Sequence, residues 1–252
     1  MKKLSLIMST CLLGMIAQAQ LIDDFTATGL GQYTQTTVLD NGIAEANVSF
    51  SDATGALVGA YGGTVSQPEQ LVLLRSDFNL TVGSMLLVDA AFPTQTSQMD
   101  FGIAISATVN PLAASLADTD TRDLFNWAAV YVRPSQNAVR STSSINGTVV
   151  TGTGVLTVDE TFVSQLFIER NTSTDFTLGY YDTSANRIVS RTVTFTATDV
   201  GTAIGFYADL RAVGGSLGSL DNLRITVIPE PASGALLGVG ALAFVVARRR
   251  QS

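Results

Sequence analysis

The sequence predicts an all-β fold, a single antiparallel β-sandwich of jelly-roll type. Three observations predict it. Charged residues make up only 14% of the 252-residue chain. Apolar and polar residues alternate with a period of two in several runs, the signature of half-buried strands. Turn chemistry separates those runs, at Asp40-Asn41-Gly42, Gly62-Gly63, Asn146-Gly147 and Gly214-Gly215, at a spacing that suits short strands. No stretch of this body sustains a helical period over three turns.

The elements follow in order. Met1-Lys2-Lys3 is a positive leader, Leu4–Ile16 is mostly apolar, and Ala17-Gln18-Ala19 has the small-x-small form of a signal-peptidase site. The expected signal peptide is 1–19, with Gln20 as the first mature residue. Cys11 lies inside the discarded apolar run. Strand candidates then run through 70–75, 84–92, 101–106, 127–133, 165–169, 176–180, 187–196, 204–211 and 223–227. In 101–106, Phe101, Ile103 and Ile105 oppose Gly102, Ala104 and Ser106. In 204–211, Ile204, Phe206, Ala208 and Leu210 oppose Gly205, Tyr207, Asp209 and Arg211. About a dozen short strands are expected over 20–228, with one helical turn at 111–117.

The remainder, 229–252, differs in kind. Pro229-Glu230-Pro231 leads into the uncharged stretch Gly234–Ala247 and then Arg248, Arg249 and Arg250. Fourteen helical residues span only about 21 Å, against a hydrocarbon core of about 30 Å. The stretch can enter a membrane as a short transmembrane helix but makes a poor permanent anchor. The arginine cluster should stay cytoplasmic as a stop-transfer signal, leaving the body outside.

The body from Gln20 to Ser233 holds no Cys, His or Lys; its nine arginines against 21 acids give a net charge of −12. Such a balance repels nucleic-acid phosphates, so no nucleic-acid partner is expected. A body of this length buries an adequate core without disulfide staples. The lack of His and Cys removes most zinc and copper sites.

The tail Pro229-Glu230-Pro231, apolar helix and terminal arginines resembles the PEP-CTERM sorting signal of Gram-negative bacteria, over residues 227–250. That resemblance implies processing by a membrane-embedded exosortase near Pro-Glu-Pro, after the signal peptidase has acted at the other end. It also implies a final place at the cell surface or in extracellular matrix, alongside exopolysaccharide. The two prolines supply a stiff, extended stretch suited to presentation to a protease. The body resembles concanavalin A-like jelly rolls, a superfamily of laminin-G-type modules, lectins and laminarinase-type glucanases. Leu21-Ile22-Asp23-Asp24-Phe25 and Ser219-Leu220-Asp221-Asn222-Leu223-Arg224-Ile225 carry that likeness. It implies that the first and last strands meet; function does not follow from the fold.

Candidate chemistry is sparse. The Glu-x-Asp-x-x-Glu strand of those glucanases is absent, and none of Glu45, Glu69, Glu160 and Glu169 has a carboxylate two residues on. Gly214-Gly215-Ser216-Leu217-Gly218 has the Gly-x-Ser-x-Gly form, but a chain without His supplies no base; a flexible turn is expected there. No cofactor is required by the sequence, and structural calcium is the one candidate, since it needs only oxygen ligands. Asp118, Asp120 and Asp123 form one candidate cluster, with a solvated loop as the alternative. Asp23 or Asp24 with Asp221 forms the other, if the terminal strands neighbour; Asp221-Asn222 capping a turn is the alternative. Trp127 and Tyr131 share one side of a strand and are candidates for glycan stacking or for half of a sandwich core.

Three functions fit, in order. They are a non-catalytic surface sandwich associated with exopolysaccharide, an atypical carbohydrate-active hydrolase using aspartates such as Asp100 or Asp209, and a purely structural matrix component. Deleting 234–252 should leave the mature domain freely secreted or periplasmic. Fractionation of host cells checks this, and unchanged partitioning with the full-length protein would refute the tail as an address.

Overall fold

Alternating runs become strands because each buries one face and leaves the other free for a second layer. The computed structural model describes residues 19–228 apart from 27–28, 40–47, 62–68, 95–98, 111–125, 147, 152–154, 157 and 211–214. Sixteen strands occur among them. In chain order they are β1 (Ala19–Asp23), β2 (Thr34–Leu39), β3 (Val48–Ser51), β4 (Leu57–Tyr61), β5 (Glu69–Arg75), β6 (Ser84–Ala91), β7 (Met99–Ser106) and β8 (Trp127–Arg133). Then come β9 (Ala138–Ile145), β10 (Thr148–Thr151), β11 (Val155–Leu156), β12 (Val163–Arg170), β13 (Asp175–Asp182), β14 (Arg187–Thr194), β15 (Ala203–Leu210) and β16 (Gly215–Val227). Residues Ala19–Thr226 form one compact unit.

Two antiparallel sheets of eight strands each result. Sheet A runs β14-β13-β12-β6-β16-β4-β3, with β1 also on β16; sheet B runs β10-β9-β8-β7-β15-β5-β2, with β11 on β9. Strands β12–β14 and β7–β10 follow in chain order, but the non-consecutive neighbours β12-β6-β16-β4 and β7-β15-β5-β2 make this a jelly roll rather than a meander. The core lies between the sheets. Sheet B sends in Phe101, Ile103, Ile105, Val130 and Phe206; sheet A sends in Leu86, Val88, Leu166, Ile168, Leu178, Leu220 and Leu223, all fully buried. Edge-on and tilted ring pairs fill its ends, Phe176–Phe195 at 5.5 Å and Phe25–Phe206 at 5.7 Å between centroids, adding to the area effect.

The ends of the domain close on each other, as the resemblance implied. Ala19 lies opposite Thr226, Gln20 opposite Ile225, Leu21 opposite Arg224, and Asp23 opposite Leu223 after a bulge. β16 is long enough, at 13 residues, to pair with β4 through its first half and β1 through its second. Two local expectations are corrected here. The glycine-rich segment from Gly215 is not a turn but the start of β16, bulged between Ser216 and Gly218. Asp221-Asn222 likewise lies inside β16 rather than capping a turn before it. Asn222 takes the left-handed conformation (φ 52°) and its N–H donates to Asp221 Oδ1 at 2.6 Å. Asn tolerates that backbone better than most residues, so the pair re-aims the strand between its two partners.

Asp23, not Asp24, turns inward at this junction. Its Oδ1 accepts from Phe25 N–H at 2.9 Å, which holds Phe25 at a φ of 54°. Its Oδ2 accepts from the Tyr33 hydroxyl at 3.1 Å and lies 3.6 Å from Arg75 Nη1. Arg75 in turn forks onto Asp77, with bonds of 2.7 and 2.6 Å, and lies over the rings of Tyr33 and Phe78. A guanidinium at the end of β5 in sheet B therefore sits between two carboxylates, one of them at the end of β1 in sheet A.

The inward face of β9 is an anomaly. Ser141 and Ser143 are fully buried there, between Val139 and Ile145, and neither hydroxyl has a hydrogen-bond partner. Burying an unpaired hydroxyl costs free energy. Ser141→Ala and Ser143→Ala should each stabilise the domain by about 1 kcal/mol, measured as a shift in denaturation midpoint at unchanged slope. A loss of stability in both variants would show that these hydroxyls are satisfied after all.

Candidate functional site

The second cluster of buried apolar residues lies on the opposite face of sheet B from the core. It comprises Val72, Leu74, Ala104, Trp127, Ala129, Tyr131, Ala203 and Tyr207, with Val109 against it. The pairing register explains the set. Tyr207 of β15 lies opposite Gly102 of β7, and Gly102 lies opposite Tyr131 of β8. Strands β15 and β8 are thus two spacings apart, about 10 Å, yet the Tyr131 and Tyr207 ring centroids are 5.2 Å apart. The rings meet by leaning over the intervening glycine. A Cβ at Gly102 would strike the carbonyl oxygen of Val130 and the backbone of Tyr131. Trp127 completes the row, stacked on Tyr207 at 5.7 Å, above a floor of Ala104, Ala129 and Gly205.

Trp127 and Tyr131 therefore do share one side, and it is not the inter-sheet side. Both are 1% exposed, as is Tyr207. In this conformation the trio packs as a core would, and its ring faces are not open to a sugar.

Charge gathers at one end of this row. Asp100 and Asp209 are direct cross-strand partners on β7 and β15, and both are buried. Arg133 of β8 forks onto Asp100, with Nε donating to Oδ1 at 2.7 Å and Nη2 donating to Oδ2. The Tyr207 hydroxyl points to Asp209 Oδ2 at 3.5 Å, and the Arg133 guanidinium lies 5.7 Å from the Tyr131 ring centre. Burial, reinforced by the Asp100 charge, pushes the Tyr131 phenol well above its ordinary value. For Arg133 burial acts the other way, but the Asp100 carboxylate outweighs it and holds the guanidinium proton more tightly than usual. Two like charges opposite each other on a sheet repel; one planar fork beside them offsets that repulsion.

The other sequence candidates fall elsewhere. Asp24 accepts from both N–H and Oγ1 of Thr26, which lower its carboxyl below the usual range. Asp221 is engaged with Asn222. Among the described residues no group of three His, Cys, Asp or Glu side chains is placed to hold a metal. Asp118, Asp120 and Asp123 lie outside the described residues, as do Ala17, Pro229, Glu230, Pro231, Arg248, Arg249 and Arg250. Ala19 and Gln20 lie in β1.

Sequence reasoning missed the Arg133–Asp100 fork and the Asp23–Arg75–Asp77 junction. Alternation already set Tyr207 and Asp209 on one face of their run. The strand partners that bring them to Tyr131 and Asp100 left no local signal. Gly102→Val should cost about 2–3 kcal/mol by forcing the two tyrosines apart. Denaturant titration checks this together with near-ultraviolet circular dichroism of the ring cluster; an unchanged spectrum and midpoint would refute the glycine-floored packing.

Residues 227–250 match the model of the PEP-CTERM protein-sorting motif. A search of curated proteins finds no match to the chain. Among solved structures, a functionally unknown protein from Saccharomyces cerevisiae is similar at a TM-score of 0.51 and 12% identity, covering 81% of this chain and 100% of its own. LamAcat from Zobellia galactanivorans is similar at a TM-score of 0.51 and 10% identity, covering 82% and 97%. The Bacillus licheniformis β-glucanase follows at a TM-score of 0.48 and 10% identity, covering 84% and 97%. At these identities the first two likenesses speak for the fold alone. The chain thus has the jelly-roll fold seen in these structures and carries a PEP-CTERM sorting motif at residues 227–250.

Proposed function

We propose that this protein is an exported, non-catalytic β-sandwich that an exosortase system delivers to the cell surface or matrix, where it associates with extracellular polysaccharide. One observation carries the reading: the sorting motif begins at Val227, the last residue of β16. The sandwich is therefore the cargo, with no further domain between it and its address. In this reading the signal peptidase and the exosortase are the processing partners, and the C-terminal helix holds the precursor in the inner membrane until release. The aromatic row of Trp127, Tyr131 and Tyr207 is the surface on which a glycan would stack once its rings are uncovered. Calcium at Asp24 with Asp221, or at Asp118, Asp120 and Asp123, would be structural and is not needed for this role.

The opposition of Asp100 and Asp209 favours a second reading, an atypical hydrolase. Glycoside hydrolysis needs two carboxyl groups about 5–5.5 Å apart for retention, one of them protonated as the general acid. The Arg133 fork weighs against it, because a guanidinium in two-pronged contact stabilises the anion rather than the acid. A purely structural matrix component is the third reading.

The processed protein, recovered from its host, should co-migrate with that host's exopolysaccharide in affinity electrophoresis and release no new reducing ends from a panel of glucans. Reducing ends that disappear in Asp100→Asn or Asp209→Asn would establish the hydrolase. Absence of both binding and hydrolysis would leave the structural role.

A further inference from the structure

We infer that signal-peptide removal and closure of the sandwich compete for one strand, so that the N-terminal cut must precede docking of β16. The inference rests on reading residues 1–19 as a signal peptide.

The bond to be cut, Ala19–Gln20, is not in a tail ahead of the domain. It lies inside β1 (Ala19–Asp23), and the residues on its two sides are in register with Thr226 and Ile225 of β16. A peptidase takes its substrate as an extended segment, adding it edge-on to a strand of its own. In the closed sheet one edge of this segment is already held by β16. The backbone groups on that edge, and the freedom to twist the scissile carbonyl towards a nucleophile, are taken up by the ladder, so cleavage waits on local opening of the strand. Hydrolysis itself is ordinary: water adds across the bond, Ala19 keeps a carboxylate and Gln20 gains the amine.

Chain order supplies the timing. β1 is the first strand to leave the membrane and β16 the last, so the two ends pair only after the whole body has crossed. Until residues 215–227 arrive, β1 has no β16 to pair with and the site is open. Joining partners some 200 residues apart in sequence is also intrinsically slow, which widens the window. Among the described residues β1 pairs with no other strand.

The other end behaves differently. β16 stops at Val227, and a single residue, Ile228, separates it from Pro229. Proline has no N–H to extend a ladder. The sorting motif therefore begins where the sheet stops, and its cleavage does not compete with folding. The two processing steps are set in order by topology: the N-terminal cut before closure, the C-terminal cut at any time after export.

The test uses the full-length precursor, folded in detergent micelles and checked by thermal melting, incubated with signal peptidase and followed by intact mass. A variant with a Gly-Ser insert of about six residues between Gln20 and Leu21 moves the bond off the ladder while leaving the pairing from Leu21 onward. The insert variant should be cut at least about tenfold faster than the folded native chain. Equal rates for the two would overturn the competition while leaving the signal peptide in place. Failure of both to be cut would instead remove the signal-peptide reading, and the inference with it.

Discussion

Sheet A cannot be completed until the end of the chain is present. β16, the last strand, sits in its interior between β6 and β4 and also carries β1. Three strands from three parts of the sequence thus wait on residues 215–227. A sheet built this way is dominated by non-local pairings, whose loop-closure entropy is lost before any contact rewards it. The strand that joins them cannot be straight and regular. Its bulge between Ser216 and Gly218 and its left-handed Asn222 divide it into a half that fits β4 and a half that fits β1. The same closure sets Ala19 and Gln20 opposite Thr226 and Ile225 near the end of β16.

Arginine occupies the charged junctions that the structure describes. Arg75 lies between Asp23 and Asp77, Arg133 forks onto Asp100, and Arg224 bonds Asp89 at 2.9 Å. Burial alone would raise the Asp89 carboxyl, but donors from Arg224, Gln165 and Asn222 together hold it below the usual range. Arg170, Arg187, Arg75 and Arg133 also lie over aromatic rings. A flat fork that pairs with two oxygens while stacking on a ring suits a half-buried sheet face; an ammonium does neither as well. This gives a physical reason why the cations at these positions are arginines in a body that has no lysine.

The strands that could be read from sequence were those whose two faces differ. β7, β13 and β15 alternate cleanly because one side meets the core and the other meets glycine, alanine or a tyrosine. β2, β9 and β10 gave no such signal. Their sequences, TQTTVL, AVRSTSSI and TVVT, are rich in Thr and Ser, and β9 even turns Ser141 and Ser143 into the core. The Asp23-Asp24 pair could not be resolved either, since the bulge after Leu21 decides which carboxylate faces in. At the aromatic row the sequence showed that Trp127 and Tyr131 share a side, because strand geometry fixes that locally. Tyr207 joins them only through the order β8-β7-β15, and pairing order is not a local property.

What the sequence by itself determined is therefore the fold class, the sorting motif and the absence of His- or Cys-based chemistry in the body. These depend on residue type and short-range period alone. The tertiary structure decided which carboxylates meet which arginines, that the aromatic trio is packed rather than open, and that Ala19 and Gln20 lie within a paired strand. Each of these depends on contacts between segments tens to hundreds of residues apart, which hydrophobic burial selects among many alternatives and no local pattern encodes.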